Sequence, residues 1–188
     1  MDLPNDVPVF LVDTKEMARL CDGQFPGMVF GLMFEGTVTS VTNCSRKGNR
    51  IVVEQMSDEC GTGIAILFGL PKIMTQAILT HEMMHVYFRS KGIESGKLER
   101  KLEEGMCQVV GWKWLDWLDN EINSSSSAHN SHEQTQFLRK LVETYKFVVE
   151  KHNSYEYGEG FREVQLAVAE HGLQTTIDHL ITEKKLPE

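Results

Sequence analysis

His81-Glu82-Met83-Met84-His85 sets two imidazoles four residues apart around a carboxylate, inside a stretch whose apolar residues recur at helical spacing from Ile73 to Phe88. Residues i and i+4 share one helix face, so both rings can reach a single point in space, and Glu82 projects near the same point. Two surface histidines flanking a solvated glutamate would not need the apolar residues Ile78, Leu79, Met83, Met84, Val86, Tyr87 and Phe88 on both sides. Pro71 suits the first position of this helix and Gly92 stops it, which gives a length of about twenty residues. A catalytic zinc needs three protein ligands and an open position, so the pattern demands a partner element that carries one more ligand.

That element is readable. Eighteen residues separate His85 from Glu104, which lies in Leu102-Glu103-Glu104-Gly105-Met106. This spacing resembles that of metallopeptidases whose third ligand is a glutamate on the next helix, where the string is Asn-Glu-Gly rather than Glu-Glu-Gly. The expected metal ligands are His81, His85 and Glu104. A helix is predicted from about Lys97 to Ile122, with Leu98, Leu102, Met106, Val109, Val110, Trp114 and Leu118 at core spacing. Trp112, Trp114 and Trp117 read as core or core-edge aromatics. Glu103 reads as a solvated acid, with first-turn support as the alternative, Gly105 as a point of close helix packing, and Cys107 as a small buried apolar residue.

The remaining chain divides by texture. Residues 1 to about 70 read as mainly β, with Pro8 to Val12, Met28 to Phe34, Thr37 to Val41, Arg50 to Glu54 and Gly63 to Phe68 as strand-like runs. Thr14 to Leu20 is a helical turn and Asn43 to Asn49 a polar turn. After residue 71 the pattern is helical. Residues 123–131, with Ser124 to Ser127, read as a flexible linker that holds His129 and, at its edge, His132. An amphipathic helix at 133–152 turns Phe137, Leu138, Leu141, Tyr145 and Val148 inward. A loop from Asn153 to Gly160 then leads to helices from Phe161 to Glu170 and from Leu173 to Lys184, parted by Gly172. The expected fold is α+β: one catalytic domain with a small N-terminal sheet followed by a helical half carrying the zinc-binding helices.

Composition removes several function classes. A net charge of −8 without a basic stripe argues against nucleic acid as a partner. No run approaches the ~18 apolar residues of a membrane span, and the acidic N-terminus lacks the positive start of a secretory signal. Cys21, Cys44, Cys60 and Cys107 form no Cys-x-x-Cys pair, which argues against a structural zinc site or a disulfide framework. A reducing compartment is expected, the cytoplasm or the nucleus.

Longer strings carry a more specific likeness. Ile64 to Pro71, Leu79 to His85, Leu102 to Val109, Trp114-Leu115-Asp116, Tyr157-Gly158-Glu159-Gly160-Phe161-Arg162 and Leu166-Ala167-Val168 together resemble the C-terminal peptidase domain of the DA-one family, ubiquitin-activated peptidases that restrain organ growth in plants. The resemblance implies a gluzincin-type zinc peptidase that cleaves ubiquitin-linked proteins or growth regulators and has ubiquitin itself as a partner. Full-length members resemble ubiquitin-interacting helices and a LIM segment followed by this domain. The four cysteines here are too few for a LIM pair of zinc sites.

In the mechanism this implies, one zinc ion activates a water and Glu82 takes its proton as general base. Tyr157 is the first choice for the donor to the developing oxyanion, with Tyr155 and His171 as rivals. An extended peptide substrate is expected to add to a free strand edge near Ile64 to Phe68 or Ile51 to Glu54. Two alternatives accompany the endopeptidase reading: a metalloprotease cutting next to ubiquitin, and a latent domain acting mainly as a binding module of the ubiquitin pathway. The chain has no Gly-x-Met-Glu-Asn-type string, which argues against an aminopeptidase.

Overall fold

The structure, a computed structural model, describes residues 6–22, 29–124 and 132–188. Its elements run β1 (Val9–Val12), α1 (Thr14–Leu20), β2 (Gly31–Lys47), β3 (Arg50–Leu67), α2 (Lys72–Ser90), α3 (Arg100–Ser124), α4 (His132–Glu150), a π-helical turn (Tyr155–Glu159), α5 (Gly160–His171) and α6 (Leu173–Glu183). The fold is α+β, a small N-terminal sheet followed by a mostly helical half. Among the described residues no helix is long and apolar enough to cross a membrane.

The sheet order is β1-β3-β2, with β1 parallel and β2 antiparallel to β3. Successive strand residues point to opposite faces, and β3 is buried on both at its C-terminal end. Ile64 and Ile66 face α2, where they pack with Val86, Leu79 and Met83. Ala65 and Leu67 face the other way, onto Met17 of α1 and Cys21, its C-cap. Helix α1 begins where the Asp13 carboxylate accepts the Glu16 amide at 2.8 Å, an N-cap that ends β1 and starts the crossover. A second core joins α2 and α3 to α5 and α6 through Met84, Phe88, Leu102, Met106, Phe161, Val164, Ile177 and Leu180. Helix α4 closes on α2 and α3 through Val142 against Ile73 and Leu115.

The sequence expectations need correction at several points. The strand-like runs of residues 31–67 are one long hairpin, and its turn is Gly48-Asn49 rather than Asn43 to Asn49. Beyond the reach of β1 the ribbon carries exposed Val41, Ile51, Val53 and Met56, so no buried face imposes an apolar alternation there. Ile64 to Leu67 lies between β1 and β2 and therefore offers no free edge, contrary to expectation; Phe68, past the strand end, is exposed. Pro71 is the cap preceding α2 rather than its first residue. Trp117, Phe137 and Val148 are exposed rather than inward, while Leu138, Leu141 and Tyr145 do pack inward. Of the expected linker, Asn123 and Ser124 end α3, His132 opens α4, and residues 125–131, His129 included, lie outside the described residues.

Candidate metal centre

Glycines let α3 come close both to α2 and to α5. A Cβ on Gly111 would sit 3.2 Å from the Ala77 carbonyl, beside His81, and one on Gly105 would run into the Gly160 carbonyl at the start of α5. The expected role of Gly105 in close packing agrees with this. The approach sets Glu104 of α3 opposite both histidines of α2. Glu104 Oε2 lies 3.3 Å from His81 Nε2 and 3.4 Å from His85 Nε2. That oxygen is buried and makes no hydrogen bond.

Such an orphaned oxygen is costly unless something binds it. Burial by itself would raise the Glu104 pKa, but the His81 and His85 imidazoles outweigh it and hold the carboxyl well below the usual carboxylate range. The three groups expected as metal ligands are thus gathered about one point. Cys107, one turn beyond Glu104 and fully buried, also comes to the histidines: its sulfur and a nitrogen of each all lie within 4.8 Å of one another, a grouping able to hold a metal ion that does not include Glu104. Burial pushes its thiol up to about 12, against the opposing pull of His85.

Glu103 corrects the sequence reading. It is buried, not solvated: its Oε1 lies 2.9 Å from His85 Nδ1 and accepts from Arg89 Nη2 at 2.7 Å. Arg89 donates in turn to the Ile93 carbonyl at 2.7 Å, which anchors the chain of contacts to the end of α2. Burial works against the Glu103 carboxylate, but His85 and Arg89 more than compensate and lower its pKa. Burial likewise works against a charged His85, yet Cys107, Glu103 and Glu104 raise it well above the ordinary imidazole value. Fixing one ring nitrogen on a carboxylate turns the other toward Glu104, the arrangement that outer-sphere partners give to ligand histidines. The adjacent pair Glu103-Glu104 held the signal, since neighbouring helix positions can face two different partners.

Glu82 is buried, and its Oε2 accepts the Met33 backbone N–H at 2.8 Å. Met33 belongs to β2, the edge strand lying on α2, and Gly31 lets that strand come close, because a Cβ there would collide with Ile78 and approach Glu82. Sequence reasoning had no means of finding Met33, since the interacting group is main-chain.

Tyr157 comes to the site from the π-helical turn. Its hydroxyl donates to Glu104 Oε1 at 3.4 Å and its ring stacks on His81, with centroids 6.4 Å apart. The turn starts at Ser154, whose hydroxyl accepts the Tyr157 amide, and Gly158 fits against the His152 carbonyl where a side chain would collide. Burial, with the Glu104 carboxylate adding to it, pushes the Tyr157 phenol up to about 12, so it stays a donor. The rival residues meet other groups. The Tyr155 hydroxyl donates to Glu99 at 3.3 Å, and His171 pairs with Glu170 at 3.8 Å.

A family model described as Protein DA1, of the DA1-like family, matches residues 1–183. The chain is 34% identical to Protein DA1 of Arabidopsis thaliana over 100% of its own length and 39% of that protein. It is 33% identical to Protein DA1-related 1 of the same plant, with 96% and 37% covered, and 30% identical to the LIM domain-containing protein HDR3 of Oryza sativa subsp. japonica, with 96% and 42% covered. The chain therefore spans about two fifths of the length of these relatives. No solved structure matches it.

Proposed function

The chain belongs to the DA1-like family, and from that premise we propose that it is the catalytic domain of a zinc-dependent endopeptidase, acting on proteins of the ubiquitin system or on growth regulators. The observation that carries the catalytic half of this reading is the buried, unbonded Oε2 of Glu104 facing two imidazole nitrogens, with a second carboxylate, Glu82, beside the same histidines. Two imidazoles and a carboxylate are a catalytic zinc ligand set. The choice of substrates rests on the family resemblance. It extends to the longer relatives, of which HDR3 is named for a LIM domain.

His81, His85 and Glu104 would hold the ion. Zinc there would polarise a peptide carbonyl and lower the pKa of the attacking water toward ~7. Glu82 accepts the water's proton and passes it to the leaving amine. The Met33 amide fixes the Glu82 carboxylate while occupying only one of its roughly four lone-pair sites. Tyr157, held protonated by burial, donates to the oxygen on which negative charge develops. Glu103 and Arg89 keep the His85 ring turned toward the metal.

The test is cleavage of ubiquitin-fused and unfused test proteins by the zinc-loaded chain and by its Glu82→Gln variant, with products mapped by mass spectrometry. The reading expects cuts that only the parent chain makes, and their positions report whether ubiquitin is read at the cleavage site. Equal cutting by the variant would overturn Glu82 as general base and with it the mechanism.

A further inference from the structure

We propose that Cys107 is a fourth ligand to the metal, closing the coordination shell of the resting protein in the place that a reacting water would otherwise take. The inference rests on the zinc reading above and adds the regulation of that same site. On α3, Glu104 and Cys107 stand three residues apart, so both project from one helix face, toward the α2 face that carries His81 and His85. The Cys107 sulfur is fully buried among the donor atoms rather than in a purely aliphatic setting. Donors around a tetrahedral zinc, with bonds of ~2.0–2.3 Å, stand roughly 3.5 Å from one another. The Cys107 sulfur and the two histidine nitrogens already lie within 4.8 Å of one another and need to contract by no more than about 1.3 Å, a side-chain adjustment.

Glu104, only 9% exposed, directs a buried oxygen without a hydrogen bond toward the same two histidines. Thiolate sulfur is a soft donor that suits zinc, and a Cys-His-His-carboxylate shell satisfies four-coordination without water. As the sulfur–zinc bond forms, the S–H bond breaks and its proton leaves to solvent; when water replaces the sulfur, the thiol regains a proton. A site closed in this way is a stored, inactive state, and water entering in place of the Cys107 sulfur opens it.

X-ray absorption at the zinc edge decides the matter on the full chain. The proposal expects one sulfur at ~2.3 Å in the zinc-loaded parent and none in Cys107→Ala. The cobalt-loaded parent should show a thiolate-to-metal charge-transfer band that the variant lacks. Cys107→Ala should also bind zinc more weakly, by at least the ~10–100-fold typical of losing an outer-sphere partner, and turn over test substrate faster. A zinc-loaded parent with only nitrogen and oxygen neighbours would overturn this inference and leave the peptidase reading intact. Failure of the parent to bind zinc would overturn both. Because the parent's own spectrum decides, the result does not depend on the variant folding.

Discussion

Replacing Glu103 tests the outer support of the site in two currencies at once, folding stability and metal affinity. One carboxylate oxygen serves both His85 Nδ1 and Arg89 Nη2, and the side chains of Glu103 and Arg89 are 8% and 10% exposed. Glu103→Ala strands the Arg89 guanidinium, whose Nε already lacks a partner and whose remaining bond goes to the Ile93 carbonyl. Breaking a buried pair from one side costs about 3–5 kcal/mol, and the surviving carbonyl bond puts this case near 3 kcal/mol. Glu103→Gln keeps an acceptor but exchanges two charge-assisted hydrogen bonds for neutral ones. At about 1 kcal/mol difference for each, the expected loss is about 2 kcal/mol. Zinc affinity should fall about 10–100-fold in the Ala variant, equivalent to ~1.4–2.8 kcal/mol, and less in the Gln variant. Urea midpoints of the metal-free chains and competition with a chromophoric chelator give the two quantities. A Glu103→Ala chain with parental midpoint and parental affinity would refute the argument and restore the picture of a solvated surface acid.

Gly105→Ala should lower the unfolding free energy read from urea denaturation by about 1–3 kcal/mol, although helix propensity alone would favour it by ~1 kcal/mol, because the new methyl meets the Gly160 backbone; an unchanged or raised value would show that α3 and α5 can part without cost. Tyr157→Phe should reduce kcat about 100–1000-fold with little change in KM, and an effect on KM alone would remove it from the oxyanion role. Glu104→Ala should lower zinc occupancy measured by elemental analysis, and undiminished zinc content would exclude it as a ligand. The metal-free chain should show a pH optimum of stability. Glu103 and Glu104, depressed from their ordinary 4.5, stabilise above that value and lose their contribution on acidification; His85, raised from 6.5, stabilises below that value and loses its contribution as pH rises through its elevated pKa. Urea midpoints are thus expected to be highest between about pH 4.5 and 6.5 and to fall in alkali, and a midpoint still rising above pH 8 would contradict the sign for His85.

The sequence was most legible where burial is dense and periodic. Helices α2 and α3 are packed along most of their length, so apolar spacing located both and brought His81, His85 and Glu104 within reach of one another. The β2–β3 hairpin was broken into pieces because its outer half faces water on both sides, and glycines and polar residues there carry no alternation to read. Helix α4 was recognised as amphipathic, but Phe137 and Val148 face solvent while Val142 takes the core, so its type was right and part of its face wrong. Glu103 was misjudged for a related reason: an acid on a helix is solvated by default, and only the tertiary approach of His85 and Arg89 makes it internal. The hydrogen bond from Met33 to Glu82 left no trace in residue identity at all.

Because the group that holds Glu82 is a main-chain amide, selection on that contact cannot act through the choice of side chain at position 33. What it can act on is the phase of the strand. A one-residue insertion or deletion between the Gly31 contact and Met33 would rotate the free amides of β2 away from α2 while leaving every residue type in the motif untouched. Relatives should therefore vary freely in side chain at this position yet share the length of this segment, with proline as the one residue refused there.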